Sequence, residues 1–472
     1  MRKTKLICTI GPACETEEVL TEMCLAGMNV ARLNFSHGTH EEHQKKFDLI
    51  KKVREKLNYP IAIMLDTKGP EYRIKTFENK KITVCDGDAF TFTTEDIVGN
   101  QERVSVNYEH LTDDLNVGDI ITVNNGLVMF EVTDIKNNEA VCKVLVGGEL
   151  SDRKSMHFPG VVMNHEFLSE QDKVDLLFGI KNDVDYVAAS FVSSKRDVAD
   201  IRNFLDENGG SEIDIIAKIE NRSGVDNIEE ICEIADGIMI ARGDLGVEIP
   251  FIEVPAIQKY LINKCRMLGT RVITATEMLE SMIHNPRPTR AELSDVANAV
   301  YDGTSAIMLS GETASGKYPV MAVKNMVEIA EFTEQKINYK RRFKSAEFEI
   351  KNNLDALSHS ACSMAIDLGA KGIVVNSISG RTARMVSRFR CPVDILGTTT
   401  SEKVWRKLNL SWGVTPVICE EFSSVEVMFY NALNRAKEIF NLQKNDNVVL
   451  TGGQINGKSG NSNIIKIEQI NN

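Results

Sequence analysis

The residues best suited to chemistry lie in the stretch from position 213 to 250. Lys218 and Glu220 stand two positions apart near the end of a short apolar run, so an extended backbone points both side chains the same way, about 6–7 Å apart. Asp244 follows the end of the next apolar run. Two carboxylates beside a lysine form a site that holds Mg²⁺ against a phosphorylated or enolic substrate. The alternative is a set of salt bridges at the surface ends of two strands.

These side chains meet only if their strands run parallel, and the chain has the pattern of a parallel barrel. Short apolar runs end in polar or glycine-rich turns, and stretches of helical period separate most of them. The runs are residues 5–10, 29–33, 61–65, 185–189, 213–219, 237–241, 271–275 and 306–309. The helical stretches are 15–26, 41–57, 169–180, 196–207, 224–235, 254–268, 291–299 and 317–331. Eight such units predict an α/β fold, a (β/α)8 TIM barrel with its chemistry at the C-terminal strand ends.

Polar and charged residues follow nearly every predicted barrel strand, more than soluble loops alone require. They are Thr9, Arg32, Asn34, Ser36, Asp66, Thr67, Lys68, Ser190, Lys218, Glu220, Arg242, Asp244, Thr276, Glu277, Ser310 and Glu312.

An insertion at residues 71–158 separates the third and fourth barrel strands. It contains no convincing helical pattern, but alternating runs at 81–85, 90–93, 120–123 and 128–132 are separated by turn signals. We expect a small inserted β-barrel domain. Its place on the catalytic face suits a lid that excludes water. The barrel itself is therefore expected at residues 1–70 and 159–345.

The strand–helix pattern restarts after about residue 346 and predicts a separate C-terminal α/β domain over residues 346–472. Helices are expected at 354–368, 383–389 and 425–440, and strands at 372–376, 393–396, 448–450 and 464–467.

A polar loop joins the first strand and the second helix of this domain. Hydroxyls and backbone N–H groups at a helix N-terminus suit an anion such as phosphate, although a serine or threonine there is also a common N-cap. The candidate effector residues are Ser377, Ser379, Gly380, Arg381 and Thr382.

Composition excludes several classes of protein. The 472 residues carry a net charge of −12, which argues against nucleic acid or an anionic membrane as the main partner. The ten cysteines form no CxxC pair and are expected to be reduced thiols of a cytoplasmic protein. No apolar run approaches the roughly 20 residues of a membrane-spanning helix. The start, MRKTKLICTIGP, is expected to form the first strand rather than a signal peptide.

Three histidines, His37, His40 and His43, follow the second barrel strand at a spacing of three. No HExxH motif accompanies them, so we interpret them as a solvated helix start rather than a metal site.

A series of motifs spans the whole barrel in order. They are CTIGPAC, MNVARLNFSHGTHEEH, MLDTKGPEYR, AKIENRSGV, IMIARGDLGVEIP, ITATEMLESM, NPRPTRAE and IMLSGETASGKYP. With these motifs the sequence closely resembles one family, the pyruvate kinases. The C-terminal region looks like the third domain of the family. The chain resembles the short bacterial form, which has no long N-terminal extension and no additional C-terminal domain.

The resemblance implies transfer of the phosphoryl group of phosphoenolpyruvate to ADP, followed by protonation of enolpyruvate to pyruvate. Glu220 and Asp244 would hold Mg²⁺ or Mn²⁺, and the backbone at Gly243 and Asp244 would receive the substrate carboxylate. Lys218 would neutralise charge on the phosphoryl group and the enolate. Thr276 would lie on the face where C3 is protonated. Such transfers depend on positioning and charge, so a site without a nucleophile fits.

The resemblance also assigns the remaining roles. Arg32 would meet the phosphoryl group, and Asn34, His37 and Arg73 would bind the nucleotide. The oxygen ligands of K⁺ would come from Asn34, Ser36, Asp66 and Thr67. A sugar phosphate is the expected effector at the C-terminal loop, and a homotetramer is the expected assembly.

The sequence departs from the family pattern at a few positions. Glu277 stands where Gln is common, and Ser193 and Ser194 stand where basic residues are usual, with Lys195 and Arg196 just downstream. FPGVVMN replaces the usual Leu-Pro-Gly opening, and GKSGNSN matches the effector loop only loosely. The activator and some nucleotide contacts therefore stay open.

Glu71 bears on the monovalent ion. Family members that work without K⁺ resemble one another in having Lys at this position, whereas a carboxylate adds negative charge that K⁺ can balance. Ile74, where Thr is usual, is a mild mismatch. We predict strong K⁺ activation. The alternative is a solvated glutamate at the hinge of the inserted domain.

Two other functions are considered. A lyase or mutase that acts on phosphoenolpyruvate or pyruvate could share the Lys–Glu–Asp metal site, but it would not need the inserted domain, the Arg73 region and the K⁺ oxygens together. A non-catalytic sugar-phosphate sensor built on the C-terminal loop would not need intact barrel residues.

Overall fold

Eight parallel strands close into a barrel, as the strand–helix alternation predicts. The computed structural model describes residues 1–161, 163, 166–421, 424–453 and 462–471. The barrel strands are Lys5–Thr9, Val30–Asn34, Ala62–Asp66, Tyr186–Ala189, Asp214–Ile219, Gly237–Ala241, Arg271–Ala275 and Ala306–Leu309. Every residue of these strands except Asn34 is buried, because one face packs inside the barrel and the other packs against the surrounding helices.

Helices surround the barrel, and local capping explains where several of them begin and end. The helix His40–Leu57 begins with a capping box between Thr39 and Glu42, and Arg290–Asp302 begins in the same way and ends at Gly303, whose φ of 98° favours glycine. The other long helices are Glu17–Ala26, Glu170–Lys181, Lys195–Glu207, Val254–Leu268 and Pro319–Lys336. None of the described helices is long and apolar enough to cross a membrane.

Two features of the helical layer were not predicted. The single helix expected at 224–235 is wrong: the chain forms Arg222–Asp226 and Ile228–Ile234, separated at Asn227, whose ψ of 15° departs from helical geometry. A short helix, Arg242–Glu248, also follows the sixth barrel strand directly. It is too short for helical periodicity to reveal it, yet it carries Gly243 and Asp244. Further short helices are Phe251–Glu253, Glu280–Ile283 and Gly311–Ala314.

The inserted segment forms a small β-barrel with its own apolar core. A seven-stranded sheet runs in the order Tyr72–Arg73, Ser155–His157, Ile120–Val123, Val128–Lys136, Glu139–Val146, Ala89–Thr93 and Arg103–Ser105. An antiparallel bridge between Ile74 and Val106 joins the two edges, so the sheet curls closed. Lys81–Val84 and Gly148–Ser151 form a separate ladder, and Leu111–Asp114 is a single helical turn.

The C-terminal domain is an α/β unit, as predicted. Its sheet has the strand order Val414–Ile418, Asp394–Thr399, Gly372–Asn376, Asn447–Gly453 and Ser462–Gln469, and only the last pairing is antiparallel. Its helices are Asn353–Asp367, Arg381–Arg388, Glu402–Leu408 and Val425–Phe440, and Tyr339–Ser345 connects it to the barrel. Sequence analysis missed Glu402–Leu408 and Val414–Ile418. The strand contains Pro416, which argues against a strand but is tolerated at a sheet edge.

The C-terminal domain packs against the N-terminal ends of the barrel strands. Arg406 pairs with Asp185, just before the fourth strand, and Arg384 and Lys407 pair with Asp214, the first residue of the fifth strand. The polar C-terminal ends of the strands therefore lie at the opposite end of the barrel, where the inserted domain emerges.

Candidate active site

A cleft of about 1490 Å³ lies at the C-terminal ends of the barrel strands, between the barrel and the inserted domain. The barrel residues at this cleft include Arg32, Asn34, Ser36, His37, Lys218, Glu220 and Asp244, and the inserted domain contributes Tyr72, Arg73, Lys154 and His157. The cleft thus joins most of the predicted site residues. Of the predicted barrel site residues, Asp66, Thr67, Gly243 and Thr276 do not line it. Asp66 and Thr67 are buried, and Gly243 and Thr276 contact each other beside Asp244.

Lys218 is the centre of the charged network. Its Nζ donates to Ser190 Oγ at 2.7 Å and lies 3.1 Å from Asp66 Oδ1 and 3.0 Å from Glu220 Oε1. Burial alone would lower the pKa of this lysine, but the two carboxylates outweigh burial and raise the pKa above its ordinary value. Lys218 therefore stays positively charged although it is buried.

Glu220 has the features of a cation ligand. It is fully buried, and its Oε2 accepts a hydrogen bond from the backbone N–H of Phe191 at 2.7 Å. Its Oε1 has Lys218 Nζ nearby as an ion pair but accepts no well-directed hydrogen bond from the described residues. Burial, with the nearby charge of Asp244, raises the pKa of Glu220 to about 8, although Lys218 acts in the opposite direction. A bound cation would add a ligand to this oxygen and stabilise the carboxylate.

A divalent cation at this place would rest on two protein carboxylates. Asp244 lies on the short helix Arg242–Glu248, close enough to Glu220 for their charges to interact. The described residues include no group of three or more His, Cys, Asp or Glu side chains arranged around one point. The donor set fits Mg²⁺, which takes one or two carboxylates and completes its coordination with water and substrate oxygens.

Arg32 and Asp66 extend the network toward the first barrel strand. Arg32 Nε donates to Asp66 Oδ2 at 2.6 Å, and Arg32 Nη1 donates to Thr9 Oγ1 at 2.9 Å. Burial would raise the pKa of Asp66, but Arg32 and Lys218 hold it below its ordinary value. An ionised Asp66 therefore ties two cations into one rigid group.

The four predicted K⁺ ligands lie at the ends of the second and third barrel strands. Asn34 is in register with Asp66, so their side chains belong to neighbouring strand ends. Asn34 Oδ1 accepts from the backbone N–H of Ser36 at 3.1 Å, and Thr67 Oγ1 accepts from that of Ser190 at 3.2 Å. The structure brings these residues close in the fold, and oxygens of Asn34, Asp66 and Thr67 accept hydrogen bonds from protein donors.

Thr276 has an unusual backbone for a β-branched residue. Its φ is 68°, and that of Glu277 is 54°. The Thr276 hydroxyl accepts from the backbone N–H of Gly243 at 2.9 Å and donates to the carbonyl of Ala275 at 2.6 Å. The structure thus joins the predicted protonation residue directly to the predicted carboxylate-binding peptide.

Glu71 does not project freely into solvent. It pairs with Lys68 at 3.1 Å and also with Arg73. Burial would raise the pKa of Glu71, but Arg73 and Lys68 lower it below its ordinary value. The alternative of a merely solvated glutamate is therefore wrong, and Glu71 fixes the Arg73 side chain at the edge of the cleft.

Of the three histidines, only His37 is exposed. His43 is 2% exposed, stacks on Phe35 at 4.0 Å and contacts the His37 carbonyl at 2.9 Å. His40 lies 2.6 Å from Asp175. The interpretation as a solvated helix start is therefore wrong for His43, because helical spacing turns it into the core. That the three form no metal site stays a prediction.

The candidate effector loop leads into the helix Arg381–Arg388. The N-cap residue is Gly380, with a φ of 74° and no capping side chain, so a simple serine or threonine N-cap is not what the loop provides. Thr382 Oγ1 lies 2.5 Å from Ser462 Oγ on the last strand. Residues 457–461 of GKSGNSN, and residues 162 and 164 of FPGVVMN, lie outside the described residues.

Ser193 and Ser194 have a structural task. Their backbone N–H groups both donate to Asp197, which caps the helix Lys195–Glu207. Lys195 pairs with Glu233 at 2.5 Å, whereas Arg196 lines the cleft. Of the two basic residues just downstream, Arg196 is therefore the one that reaches the cleft.

The contacts that hold the site together are not visible in the sequence. Ser190 and Thr9 stand in the sequence only as polar residues at strand ends, yet each bonds a cationic side chain of the site. Asp295, which pairs with Arg242, lies in a helix and carried no signal at all. The tertiary structure alone brings these partners together.

The fold and the site define a class: a TIM-barrel enzyme whose buried carboxylates, lysine and arginine handle a phosphorylated substrate without a protein nucleophile. Comparison with known proteins identifies the family. The barrel domain of pyruvate kinase matches residues 1–323, and the pyruvate kinase alpha/beta domain matches residues 355–468.

Relatives and a solved structure agree over the full chain. A pyruvate kinase of Clostridium acetobutylicum is 47% identical over 100% of both chains, and one of Staphylococcus epidermidis is 46% identical over 100% of this chain and 81% of its own. A pyruvate kinase from Cryptosporidium parvum superposes with a TM-score of 0.94 at 38% identity, covering 99% of this chain and 96% of its own. The chain belongs to the pyruvate kinase family, and it is a phosphotransferase.

Proposed function

We propose that the chain transfers the phosphoryl group of phosphoenolpyruvate to ADP and protonates the resulting enolpyruvate, giving pyruvate and ATP in glycolysis. The observation that carries this proposal is the buried group of Lys218, Glu220, Asp66 and Arg32 at the floor of the cleft. Two fixed cations beside buried carboxylates suit a substrate that carries both a phosphate and a carboxylate.

Glu220 and Asp244 are the proposed ligands of Mg²⁺ or Mn²⁺. Glu220 Oε1 supports this assignment, because this buried carboxylate oxygen accepts no well-directed hydrogen bond from the described residues and is compensated by its ion pair with Lys218 at 3.0 Å. When bound, the cation supplies positive charge that polarises substrate oxygens. The backbone at Gly243 and Asp244 is proposed to receive the substrate carboxylate through the N–H of Asp244, because the Gly243 N–H donates to Thr276 Oγ1.

Lys218 and Arg32 are proposed to hold the phosphoryl group as its negative charge shifts. Asp66 fixes both side chains from opposite sides, at 3.1 Å and 2.6 Å, so neither must reorganise when charge moves. Thr276 is proposed to lie where a proton reaches C3 of the enol, through its hydroxyl or a water held there.

The nucleotide is proposed to bind at Arg73, Asn34 and His37, at the mouth of the cleft. Arg73 belongs to the inserted domain and the other two to the barrel, so ADP would bridge both. His157 Nδ1 of the inserted domain already lies 3.0 Å from Glu248 Oε1 on the short helix. This contact supports a lid function for the inserted domain.

We also propose K⁺ activation through oxygens of Asn34, Ser36, Asp66 and Thr67, and activation by a sugar phosphate at Ser377, Ser379, Gly380, Arg381 and Thr382. A homotetramer in the cytoplasm is the proposed assembly and location, and the ten free cysteines suit a reducing compartment. The domain boundaries at 70/71, 158/159 and 345/346 stay predictions.

Replacement of Lys218 by Met tests the proposed function. ATP formation from phosphoenolpyruvate and ADP should fall by about 10²–10³-fold or more, because one preorganised cation is lost from the transferring group. The control is Lys195→Met, which removes an exposed lysine paired with Glu233 and should leave activity unchanged. A Lys218→Met enzyme with near-wild-type kcat would contradict the role.

The two alternative functions predict different outcomes for the wild-type chain. A lyase or mutase would convert phosphoenolpyruvate or pyruvate without forming ATP, and a sensor would bind a sugar phosphate without turnover. Coupling to lactate dehydrogenase detects pyruvate, and omitting ADP should abolish its formation if the proposal holds.

A further inference from the structure

Arg242 lies behind the proposed protonation residue rather than in the cleft. Its guanidinium is buried, and Nε and Nη2 both donate to the backbone carbonyl of Thr276, at 3.2 and 2.6 Å. Nη1 donates to both carboxylate oxygens of Asp295, each at 2.8 Å, and to Gln258 Oε1 at 3.3 Å. One planar side chain thus connects the Thr276 peptide to the helix Arg290–Asp302.

The hydrogen bonds from Arg242 reach a strained part of the backbone, at Thr276. Thr276 and Glu277 both have positive φ, which a β-branched residue rarely adopts unless its surroundings impose it. The fork of Arg242 fixes the carbonyl of this peptide, and the Gly243 N–H fixes the Thr276 hydroxyl at 2.9 Å. These contacts hold the hydroxyl in one direction at the expense of backbone strain.

We propose that Asp295, acting through Arg242, is a positioning residue for the proton step at Thr276. The proposal rests on the proposed function of Thr276. In that step the enolate electron pair forms a C3–H bond with a proton delivered from the Thr276 side, and the enol oxygen becomes the carbonyl of pyruvate. The phosphoryl group has already left, so loss of positioning impairs protonation rather than phosphoryl transfer.

Asp295 lies outside the cleft, so a change at Asp295 tests the positioning role without removing a substrate contact. It is absent from the described residues that line the cleft, and its side chain is 34% exposed. When the Asp295 carboxylate is removed, Arg242 Nη1 keeps only its hydrogen bond to Gln258. The Arg242 guanidinium then loses the partner that orients it. The Thr276 peptide is then free to relax toward an ordinary conformation, and its hydroxyl turns away from the substrate.

The test compares two reactions of the same enzyme. Exchange of the pyruvate methyl hydrogens in D₂O, followed by ¹H NMR with ATP and Mg²⁺ present, reports the proton step. ATP formation from phosphoenolpyruvate and ADP, coupled to hexokinase, reports phosphoryl transfer. For Asp295→Ala we expect exchange to fall about tenfold or more, while ATP formation stays within about threefold of wild type.

The configuration of the new methyl group at C3 is a second readout, and a general loss of protein stability does not change it. A proton delivered from a fixed position reaches one face of C3, so phosphoenolpyruvate labelled at one C3 position yields a chiral methyl group in labelled water. Wild type should give one configuration. Asp295→Ala should give a mixture, because enolpyruvate escapes and is protonated in solution. Asp295→Asn, which retains an oxygen acceptor for Arg242, should recover part of both properties.

The matched control is Asp302→Ala on the same helix. Asp302 pairs with Lys259 of the helix Val254–Leu268 at 2.7 and 2.9 Å, so this change also removes an aspartate–cation contact of the helix Arg290–Asp302, away from Thr276. It should leave both reactions unchanged. Wild-type exchange and a single configuration in Asp295→Ala, or an equal loss in Asp302→Ala, would overturn the proposal.

Failure of the proposed function would look different. If wild type forms no ATP, the proposed reaction fails and the positioning role falls with it. If wild type forms ATP but Thr276→Ala keeps full exchange, Thr276 does not deliver the proton and the proposal is overturned at that step. If Thr276→Ala loses exchange and Asp295→Ala does not, only the role of Asp295 is overturned.

Discussion

Lys218, Asp66 and Glu220 show how single residues create a charged site inside an apolar barrel. Asp66 and Glu220 are completely buried and Lys218 nearly so, yet each has a partner of opposite charge at 3.0–3.1 Å. Burial alone would neutralise such groups, whereas mutual pairing keeps Lys218 and Asp66 ionised. Removing one member leaves an uncompensated charge, so the group acts as a unit.

Asp244 should control the metal requirement at the residue scale. In Asp244→Asn a carboxylate ligand becomes a neutral amide, so the Mg²⁺ concentration that gives half-maximal activity should rise about tenfold or more. A Mg²⁺ titration at fixed ionic strength measures the shift. The control is Glu253→Gln. Glu253 lies in the short helix Phe251–Glu253 and pairs with Arg222. An unchanged titration in Asp244→Asn would exclude Asp244 as a ligand.

Glu71 should control the response to K⁺. Glu71→Lys supplies a fixed cation in place of a carboxylate, so activity should depend less on added K⁺. The assay compares tetramethylammonium chloride with KCl at matched ionic strength. Because Glu71 also holds Arg73, the KM for ADP is measured in parallel. Wild type with equal rates in both salts would exclude K⁺ activation, and an unchanged salt response in the variant would exclude Glu71 as its determinant.

At the scale of elements, short segments after the strands decide what the site can do. The helix Arg242–Glu248 brings Gly243 to Thr276 and contacts the inserted domain through Glu248 and His157. A long loop at this place would not fix the Gly243 peptide against Thr276. The element that sequence periodicity could not reveal is therefore the one that links the proposed metal ligand Asp244, the proposed protonation residue Thr276 and the inserted domain.

The helix Arg381–Arg388 should mediate the response to a sugar phosphate. Replacing Ser379 and Thr382 by Glu places negative charge where a phosphate is proposed to bind, so activation by sugar phosphates should be lost. Coupling of this kind is usually about 1–3 kcal/mol, a change of about 5–150-fold in affinity. Activity is measured against a panel of sugar phosphates.

The control for this prediction adds charge elsewhere in the same domain. Gln443 is exposed and precedes the strand Asn447–Gly453, at the opposite end of the sheet from the loop. Gln443→Glu should respond like wild type. A Ser379/Thr382 double variant that responds normally to every sugar phosphate would assign the loop a structural role only.

At the scale of the whole molecule, ion pairs join the barrel to the C-terminal domain. Asp214 is surrounded by Arg271 of the barrel and by Arg384 and Lys407 of the C-terminal domain. Burial would raise the pKa of Asp214, but these three cations hold it well below its ordinary value. Arg384 shares its helix with the candidate effector residues Arg381 and Thr382, so the same contact joins the proposed effector loop to the strand that carries Lys218.

Acid should weaken this junction. A carboxyl whose pKa is depressed in the folded state contributes stability above its unfolded pKa of about 3.9, and that contribution is lost as pH falls toward the folded pKa. The melting temperature of wild type should therefore drop below about pH 4. Asp214→Asn should lose about 3–5 kcal/mol at pH 7, because buried cations lose their partner, and should depend less on pH in the acid range.

Thermal unfolding from pH 7 to pH 3 measures both effects. Asp206→Asn is the control, since Asp206 is an exposed aspartate 3.6 Å from Arg202 on the barrel surface. An Asp214→Asn variant with the acid dependence of wild type would show that other carboxylates control the transition.

Sequence alone determined the architecture and the residues at the ends of the barrel strands. The two-residue period of a strand places Lys218 and Glu220 on the same face of the strand. Parallel pairing then brings them to the same end of the barrel as Asp66 and Arg32. These rules depend only on neighbouring residues and on the repeated strand–helix unit, so the sequence pattern is sufficient to apply them. The same holds for the helix that begins at the Thr39–Glu42 capping box.

Only the tertiary structure decided which partners each functional residue has. The bond from Lys218 to Ser190, the closure of the inserted sheet through Ile74 and Val106, and the link from Asp295 through Arg242 to Thr276 join residues 28 or more positions apart. Such contacts depend on how helices and strands pack, which neither residue type nor local period specifies. The positive φ of Thr276 likewise exists because distant donors hold its peptide.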